Sequence, residues 1–425
     1  MTSYLILGAS AAGLAAIEAI RQRDPSGPIT LVSKEPEPCY SRVALPYLIA
    51  GEKDLRQITL QTPDYFRSRN VEAIWGVGAA SLDASARQVR LEDGRTLSYD
   101  RLLIATGSRS RVPPVQGIGE AEVCYHWTLA DARQIDRASQ DARHCFVIGA
   151  GFISLLTITA LLKRRPGLRY TVVEIADQVM PQLLDPEGGR RLEEEMRSLG
   201  MEVLLGDAVN AIERGRDGKY ALHLRSGKTY QADMVVCGTG VEPNIGFVEG
   251  SGLAVERGIV TNERQETNLP GVYAAGDCAQ TRDFISGEPV VHAIWPTAIE
   301  QGRVAGANMA GDSLSYPGSL SWNVTELFGL SCASIGKFRD EPGLEPIVFR
   351  DRATGVYRKV LVDGDNRVVG AVVIGRPQDV QEMGVLQAMV RRRTDVGRWK
   401  HRFTHERINL GMIAFEALKA QLARR

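Results

Sequence analysis

Gly8, Ser10 and Gly13 follow the apolar run Tyr4-Leu5-Ile6-Leu7, and Gly149 and Gly151 follow Cys145-Phe146-Val147-Ile148. In both places an apolar helical pattern and a second short strand come next. That is the order of a β-α-β unit. Its glycines permit a tight turn and let backbone N–H groups at a helix N-terminus reach a pyrophosphate. One such loop is a weak signal. Two of one design on a single chain predict two bound dinucleotides, and two dinucleotides predict electron transfer between them. The pattern continues 25 residues beyond each first glycine, where the second copy has Glu174, ending Tyr170-Thr171-Val172-Val173-Glu174. A carboxylate there accepts hydrogen bonds from ribose hydroxyls and repels a 2′-phosphate, favouring NAD over NADP. The first copy has Ser33 at that offset, after Ile29-Thr30-Leu31-Val32. Glu35 stands close by and reads equally as the displaced acid or as an ordinary exposed residue.

The elements that must carry these loops form a repeating series. Residues 1 to 112 read as strand, helix and strand, then a hairpin turned at Asp93-Gly94, then the buried strand Leu102-Leu103-Ile104-Ala105-Thr106-Gly107. Val112-Pro113-Pro114-Val115 reads as a hinge. The series then repeats to about residue 245, with a hairpin turned at Ser226-Gly227 and the closing strand Met234-Val235-Val236-Cys237-Gly238-Thr239-Gly240. That is an internal duplication of architecture. The charged helix Arg190 to Arg197 offers Arg190–Glu194 and Arg191–Glu195 pairs and reads as a solvated face. Gly311 to Ser319 reads as a boundary. The third module beyond it has strands around Tyr357 to Val362 and Val368 to Ile374, then helices.

Composition bounds the function. A chain of 425 residues with formal net charge zero holds two or three domains and has no global field to recruit nucleic acid or anionic membrane. The longest apolar stretch, Phe152 to Leu162, falls short of the about 20 residues that span a bilayer. No secretory signal is read before the first strand, so a soluble cytoplasmic protein is expected. The six cysteines (Cys39, Cys124, Cys145, Cys237, Cys278, Cys332) form no C-x-x-C or C-x-x-x-x-C pair and no zinc or iron–sulfur set. His401 and His405 would share a helix face, with no further ligands beside them, so no metal is expected.

Taken together, Gly8-x-Ser10-x-x-Gly13, Ala105-Thr106-Gly107, Gly149-x-Gly151 and Val272-Tyr273-Ala274-Ala275-Gly276-Asp277 resemble the FAD-dependent pyridine nucleotide-disulfide oxidoreductase superfamily over essentially the whole chain. The resemblance implies an α/β fold with two Rossmann-like, glutathione-reductase-like dinucleotide-binding domains plus a C-terminal α+β domain. Residues 1–112 and 246–318 would bind FAD, residues 113–245 NAD(H), and residues 319–425 would form an interface pairing two chains or docking a larger subunit. FAD would be held by Gly8, Ser10, Ala11, Ala12, Gly13, Lys34, Glu35, Arg42, Ala79, Ala105, Thr106, Gly107, Gly276 and Asp277. The segment Pro296-Thr297, opening a helix, would reach the flavin pyrimidine. NAD(H) would be held by Gly149, Gly151, Phe152, Ile153, Glu174 and Gly240.

The departures from the family pattern narrow the function. Disulfide reductases carry a C-x-x-x-x-C after the second strand, and single-cysteine relatives carry a cysteine where this chain has Val43. Valine supports no thiol chemistry, and Cys39, four residues earlier, is read as a spectator. Ser154 fills the third-glycine slot of the second loop, and Leu156 replaces an acid. What remains resembles the cysteine-free branch: rubredoxin and ferredoxin reductases, the flavin module of assimilatory nitrite reductase, and flavin subunits of iron–sulfur complexes. The implied activity is electron transfer between NAD(H) and an iron–sulfur partner through FAD, with no catalytic acid or base. Two alternatives stand: an NADH oxidase using O₂, and a non-catalytic redox sensor or assembly subunit. The basic run Arg391, Arg392, Arg393, Arg398, Lys400, Arg402 and Arg407, set against Asp395 and Glu406, reads equally as a docking surface for an acidic carrier or as a solvated face.

Overall fold

The computed structural model describes residues 1–37, 39–409 and 411. The chain forms two compact units, both discontinuous in sequence. One consists of Met1–Arg111, Trp127–Arg133 and Gly240–Leu320; the other consists of Val112–His126, Gln134–Thr239 and the described residues from Ser321.

In the first unit, five parallel strands lie in the order Val272–Ala274, Arg101–Ile104, Tyr4–Leu7, Ile29–Ser33, Val71–Trp75. Every residue of Tyr4–Leu7 is buried, as a strand covered on both faces requires. The helix Ala11–Arg21 packs on the helix Trp295–Met309 at backbone distance. A Cβ added at Gly302 would lie 2.3 Å from the Ala12 carbonyl oxygen, and one at Gly306 would lie 2.5 Å from that of Ala16. The strands Ala79–Asp83, Gln88–Leu91 and Thr96–Ser98 form an antiparallel sheet turned at Gly94.

The second unit repeats the plan. Its parallel sheet runs Glu202–Leu205, Arg169–Glu174, His144–Ile148, Met234–Cys237. Its antiparallel sheet comprises Val209–Arg214, Tyr220–Leu224 and Thr229–Ala232. The duplication read in the sequence is therefore present strand for strand. The first unit adds Val272–Ala274, which delivers Gly276 and Asp277.

The C-terminal module is richer than the sequence reading. To the two expected strands, here Val356–Val362 and Val368–Gly375, the structure adds Trp322–Leu327, Leu330–Gly336 and Glu345–Asp351, giving one five-stranded antiparallel sheet. The outermost strands are part-exposed and break their apolar residues with Asn, Glu, Pro, Arg and Asp, which blurs a two-residue alternation, and Leu330–Gly336 is mostly Ser, Cys, Ala and Gly, residues of weak strand preference. Among the described residues no helix is long and apolar enough to cross a membrane.

The helix Pro186–Ser198 corrects the expectation of a purely solvated face. Arg190 does pair with Glu194, but Arg191 pairs with Glu187 one turn back, and Arg350 of the C-terminal sheet joins Glu187 at 2.6 Å. Asp185 caps this helix through the Gly188 N–H. Its other oxygen accepts the Tyr357 hydroxyl at 2.5 Å and pairs with Lys359 Nζ at 2.8 Å. The Lys359 and Asp185 side chains are 3% and 4% exposed. Removing one member of a buried pair strands the other's charge, at a cost of about 3 to 5 kcal/mol. Lys359→Met should therefore lower unfolding free energy by that order in chemical denaturation. A loss below about 1 kcal/mol would show that Asp185 does not depend on the ammonium.

Candidate functional site

In each unit the parallel strands end at one edge, and the loops leaving that edge make the candidate site. In the first, Gly8 turns the chain at φ +120. A Cβ on Gly8 would sit 2.0 Å from the Ala105 carbonyl oxygen, and one on Gly13 would sit 1.9 Å from that of Gly8. Only glycine allows these approaches. Ser10 is the residue before the helix, so Ala11, Ala12 and Gly13 present N–H groups with no intrahelical partner. Gly276, at φ +81, packs against Ala12 and donates its N–H to Gln301 Oε1 at 2.7 Å. Thr106 donates to the Asn244 carbonyl at 2.7 Å, and Gly107 turns at φ +66. Pro296 and Thr297 lie in the first turn of Trp295–Met309, where Thr297 is buried against Ser319. A cradle no Cβ can enter, floored by N–H groups at a helix start, fits the pyrophosphate of a dinucleotide.

The charged residues around this cradle are already partnered. Glu35 accepts from both Arg42 and the Tyr40 hydroxyl. Lys34 reaches outward to Glu92 at 2.8 Å. Ala79 begins a strand and pairs with Leu91. Asp277 lies half-buried in a recess and accepts the Ser108 hydroxyl at 2.6 Å. Desolvation lifts its carboxyl above the usual range, with the Ser108 hydrogen bond and the Arg42 charge opposing.

The second unit repeats the cradle with one exchange. Gly149 turns at φ +92, and a Cβ there would lie 2.6 Å from the Gly238 carbonyl oxygen. Gly151 precedes the helix Phe152–Arg164, leaving the N–H groups of Phe152 and Ile153 without intrahelical partners. Glu174 is buried and accepts from the Ala150 N–H at 2.8 Å and the Ala176 N–H at 3.0 Å, so it also closes its own loop. Ser154, in the third-glycine slot, is accommodated from the other side. Gly238 carries no side chain, and a Cβ there would meet Ser154 Oγ at 2.2 Å. Leu156 is half-buried. Gly240, at φ +101, falls in the first unit and accepts the Arg111 N–H at 2.9 Å.

No thiol stands at either cradle's surface. Cys39 is 3% exposed and its thiol is pushed up to about 12, mainly by desolvation, whereas Val43 is 60% exposed. All six cysteines are buried. His401 and His405 lie 6.3 Å apart between ring centroids, and among the described residues no cluster of three His, Cys, Asp or Glu side chains could hold a metal. The basic run is more neutralised than its sequence suggests: Arg407 pairs with Asp379, Lys400 with Glu345 and Arg402 with Glu406. Sequence reasoning missed Gln301, Ser108, Tyr40 and Trp127. Gln301 was visible only as a polar residue inside an apolar helix pattern, and the other three carried no local signal.

A family model described as pyridine nucleotide-disulphide oxidoreductase matches residues 2–302, and one described as the rubredoxin NAD+ reductase C-terminal domain matches residues 323–394. The chain is 33% identical over 414 residues, 96% of each chain, to the NADH-dependent phenylglyoxylate dehydrogenase subunit epsilon of Aromatoleum evansii. It is 32% identical over 394 residues, 87% of each chain, to an NADH oxidase of Methanocaldococcus jannaschii. The crystal structure of a covalent putidaredoxin reductase–putidaredoxin complex superposes with a TM-score of 0.87, at 27% identity over 98% of this chain and 99% of the other.

Two outcomes are expected. Gly238→Ala should destabilise the protein by about 1 to 3 kcal/mol through overpacking. Adding Ser154→Gly should restore most of that loss in the same denaturation measurement, and a double variant no better than the single would refute the reciprocal fit. Iodoacetamide at pH 8 should leave Cys39 unmodified in the native protein and modify it after unfolding, read by peptide mass spectrometry.

Proposed function

The chain belongs to the pyridine nucleotide-disulphide oxidoreductase family, and on that premise we propose that it is an FAD-dependent oxidoreductase passing electrons between NAD(H) and an iron–sulfur protein or subunit. The observation that carries this reading is a pair of glycine cradles on duplicated sheets with every cysteine buried. Each cradle can hold a nucleotide, and each of the six cysteines is buried. When bound, FAD would supply the chemistry of accepting hydride from a reduced nicotinamide and of releasing electrons singly to a one-electron acceptor.

The residues of the chain bind and orient. The N–H groups of Ala11, Ala12 and Gly13 hold the FAD pyrophosphate, with Gly8 and Ser10 shaping the turn and Arg42 adding positive charge. Glu35, Lys34 and Ala79 line the adenosine side. Ala105, Thr106, Gly107, Gly276 and Asp277 would line the ribityl side, where the carboxyl of Asp277 would be the group to hydrogen-bond the polyol. Pro296 and Thr297 place the positive end of a 15-residue helix at the flavin pyrimidine, favouring negative charge there. Gly149, Gly151, Phe152 and Ile153 would seat NAD(H), with Glu174 on its ribose. On this reading residues 1–112 and 246–318 serve FAD, residues 113–245 serve NAD(H), and residues 319–425 form the interface to a second chain or a larger subunit.

The relative named as a dehydrogenase subunit supports a partner within a larger complex, and the rubredoxin reductase C-terminal match supports a small iron–sulfur carrier such as rubredoxin or ferredoxin. A cytoplasmic location is part of the proposal, supported by six buried cysteines at scattered positions of the sequence. The second reading, an oxidase delivering electrons to O₂, is favoured by the Methanocaldococcus relative.

Anaerobic titration of the FAD-loaded protein with NADH should bleach the flavin fully with one NADH per FAD. Uptake of a second equivalent would reveal a reducible thiol pair and return the protein to disulfide chemistry. Absence of bleaching would remove the NADH-linked reading. NADH-driven oxygen uptake as fast as the best iron–sulfur acceptor would favour the oxidase.

A further inference from the structure

Trp127 lies far in sequence from every residue of the first cradle, yet it is hydrogen-bonded towards both of its ends. Its main-chain carbonyl accepts Arg42 Nη1–H at 2.7 Å. Its indole N–H donates to the Ser108 carbonyl at 2.6 Å, and the Ser108 hydroxyl donates to Asp277. Arg42 in turn pairs with Glu35. One continuous path therefore runs Glu35, Arg42, Trp127, Ser108, Asp277.

The segment carrying Trp127 is itself fixed to the first unit. Asp131 Oδ2 accepts the Trp127 N–H at 3.0 Å and the Thr128 N–H at 2.7 Å. The Leu129 N–H donates to the Tyr40 hydroxyl at 2.8 Å, and Arg133 pairs with Glu37 at 2.6 Å. The path spans what the sheet leaves open. Arg42 follows Ile29–Ser33, and Asp277 follows Val272–Ala274, which lies three strand positions away. At about 4.8 Å per position that is roughly 14 Å between loops that no strand pairing ties together.

We propose that Trp127 is a positioning residue that fixes Arg42 and Asp277 relative to one another, so that both ends of the flavin site are set before the cofactor enters. The inference rests on the flavin reading of this cradle. Tryptophan suits the task because its indole N–H is donor-only and stands at the far side of a rigid ring from its own carbonyl. Phenylalanine keeps the ring and loses the donor.

The test is FAD affinity of the apoprotein, followed by flavin fluorescence, in wild type, W127F, S108A and the double variant. Each apoprotein's melting temperature and each holoprotein's flavin midpoint potential are measured alongside. Losing one hydrogen bond to a site that must be preorganised should weaken FAD binding by about three- to tenfold in W127F. The potential should shift, and the apoprotein melting temperature should match wild type. The double variant should lose less than the product of the two single losses, because both act on one path. D131A, which removes the acceptor of the Trp127 and Thr128 N–H groups without touching the ring, should weaken FAD binding in the same direction. Independent, multiplying losses, or W127F binding FAD as wild type does, would overturn the inference alone. A wild-type chain that takes up no FAD would overturn the flavin reading and this inference with it.

Discussion

Backbone meets backbone in this protein at places where no side chain fits, and the rest of the architecture follows from that contact. Gly8 against Ala105, Gly13 against Gly8 and Gly149 against Gly238 each close to distances that exclude a Cβ. The helix behind the loop is thereby drawn onto the strand ends, and its first N–H groups point at the space left over. Gly302 and Gly306 extend the same constraint, holding the second helix of the first unit hard against Ala12 and Ala16. A nucleotide site made this way has walls of main chain, so its hydrogen-bonding groups are backbone N–H groups held by packing.

The two cradles differ in where the missing side chain lies. The first removes it from the helix at Gly13. The second keeps Ser154 on the helix and removes it from the strand at Gly238. Steric space is conserved while sequence is not, so a loop that breaks the glycine pattern still closes. Electrostatics divide in the same way. Around the first cradle the charged groups compensate one another across loops, whereas in the second unit charge is used at depth, with Asp185 binding helix start and C-terminal sheet together.

Much of this was legible in the sequence where periodicity and glycine placement speak locally. The two β-α-β units, the hairpins at Gly94 and Gly227 and the duplicated order all follow from nearest-neighbour patterns. Three strands of the C-terminal sheet were not legible, because the edge strands interleave apolar and charged residues without a clean alternation and Leu330–Gly336 carries mostly small ones. The partner of Arg191 was not legible either, because a helix offers acids on both sides of it and only the packed sheet chooses. At the candidate site, glycines announced themselves. Trp127 did not, since its contacts depend on a segment returning from elsewhere in the chain. Nor did the depth of Cys39, whose apolar surroundings come from the helices and strands of the first unit.

The interleaving of the two units has a consequence for how the protein is made. Arg101–Ile104 must wait for Val272–Ala274 before its sheet is complete, and the second unit must wait for the strands beyond Ser321. During synthesis the local β-α-β segments can form as they emerge, but the first unit's parallel sheet keeps an unfinished edge at Arg101–Ile104 until Val272–Ala274 arrives. Such long-range closure slows folding and prolongs exposure of sticky surface. Completion of the first unit therefore spans the whole stretch of chain that builds the second unit's parallel sheet, a wait that two domains laid end to end would not impose.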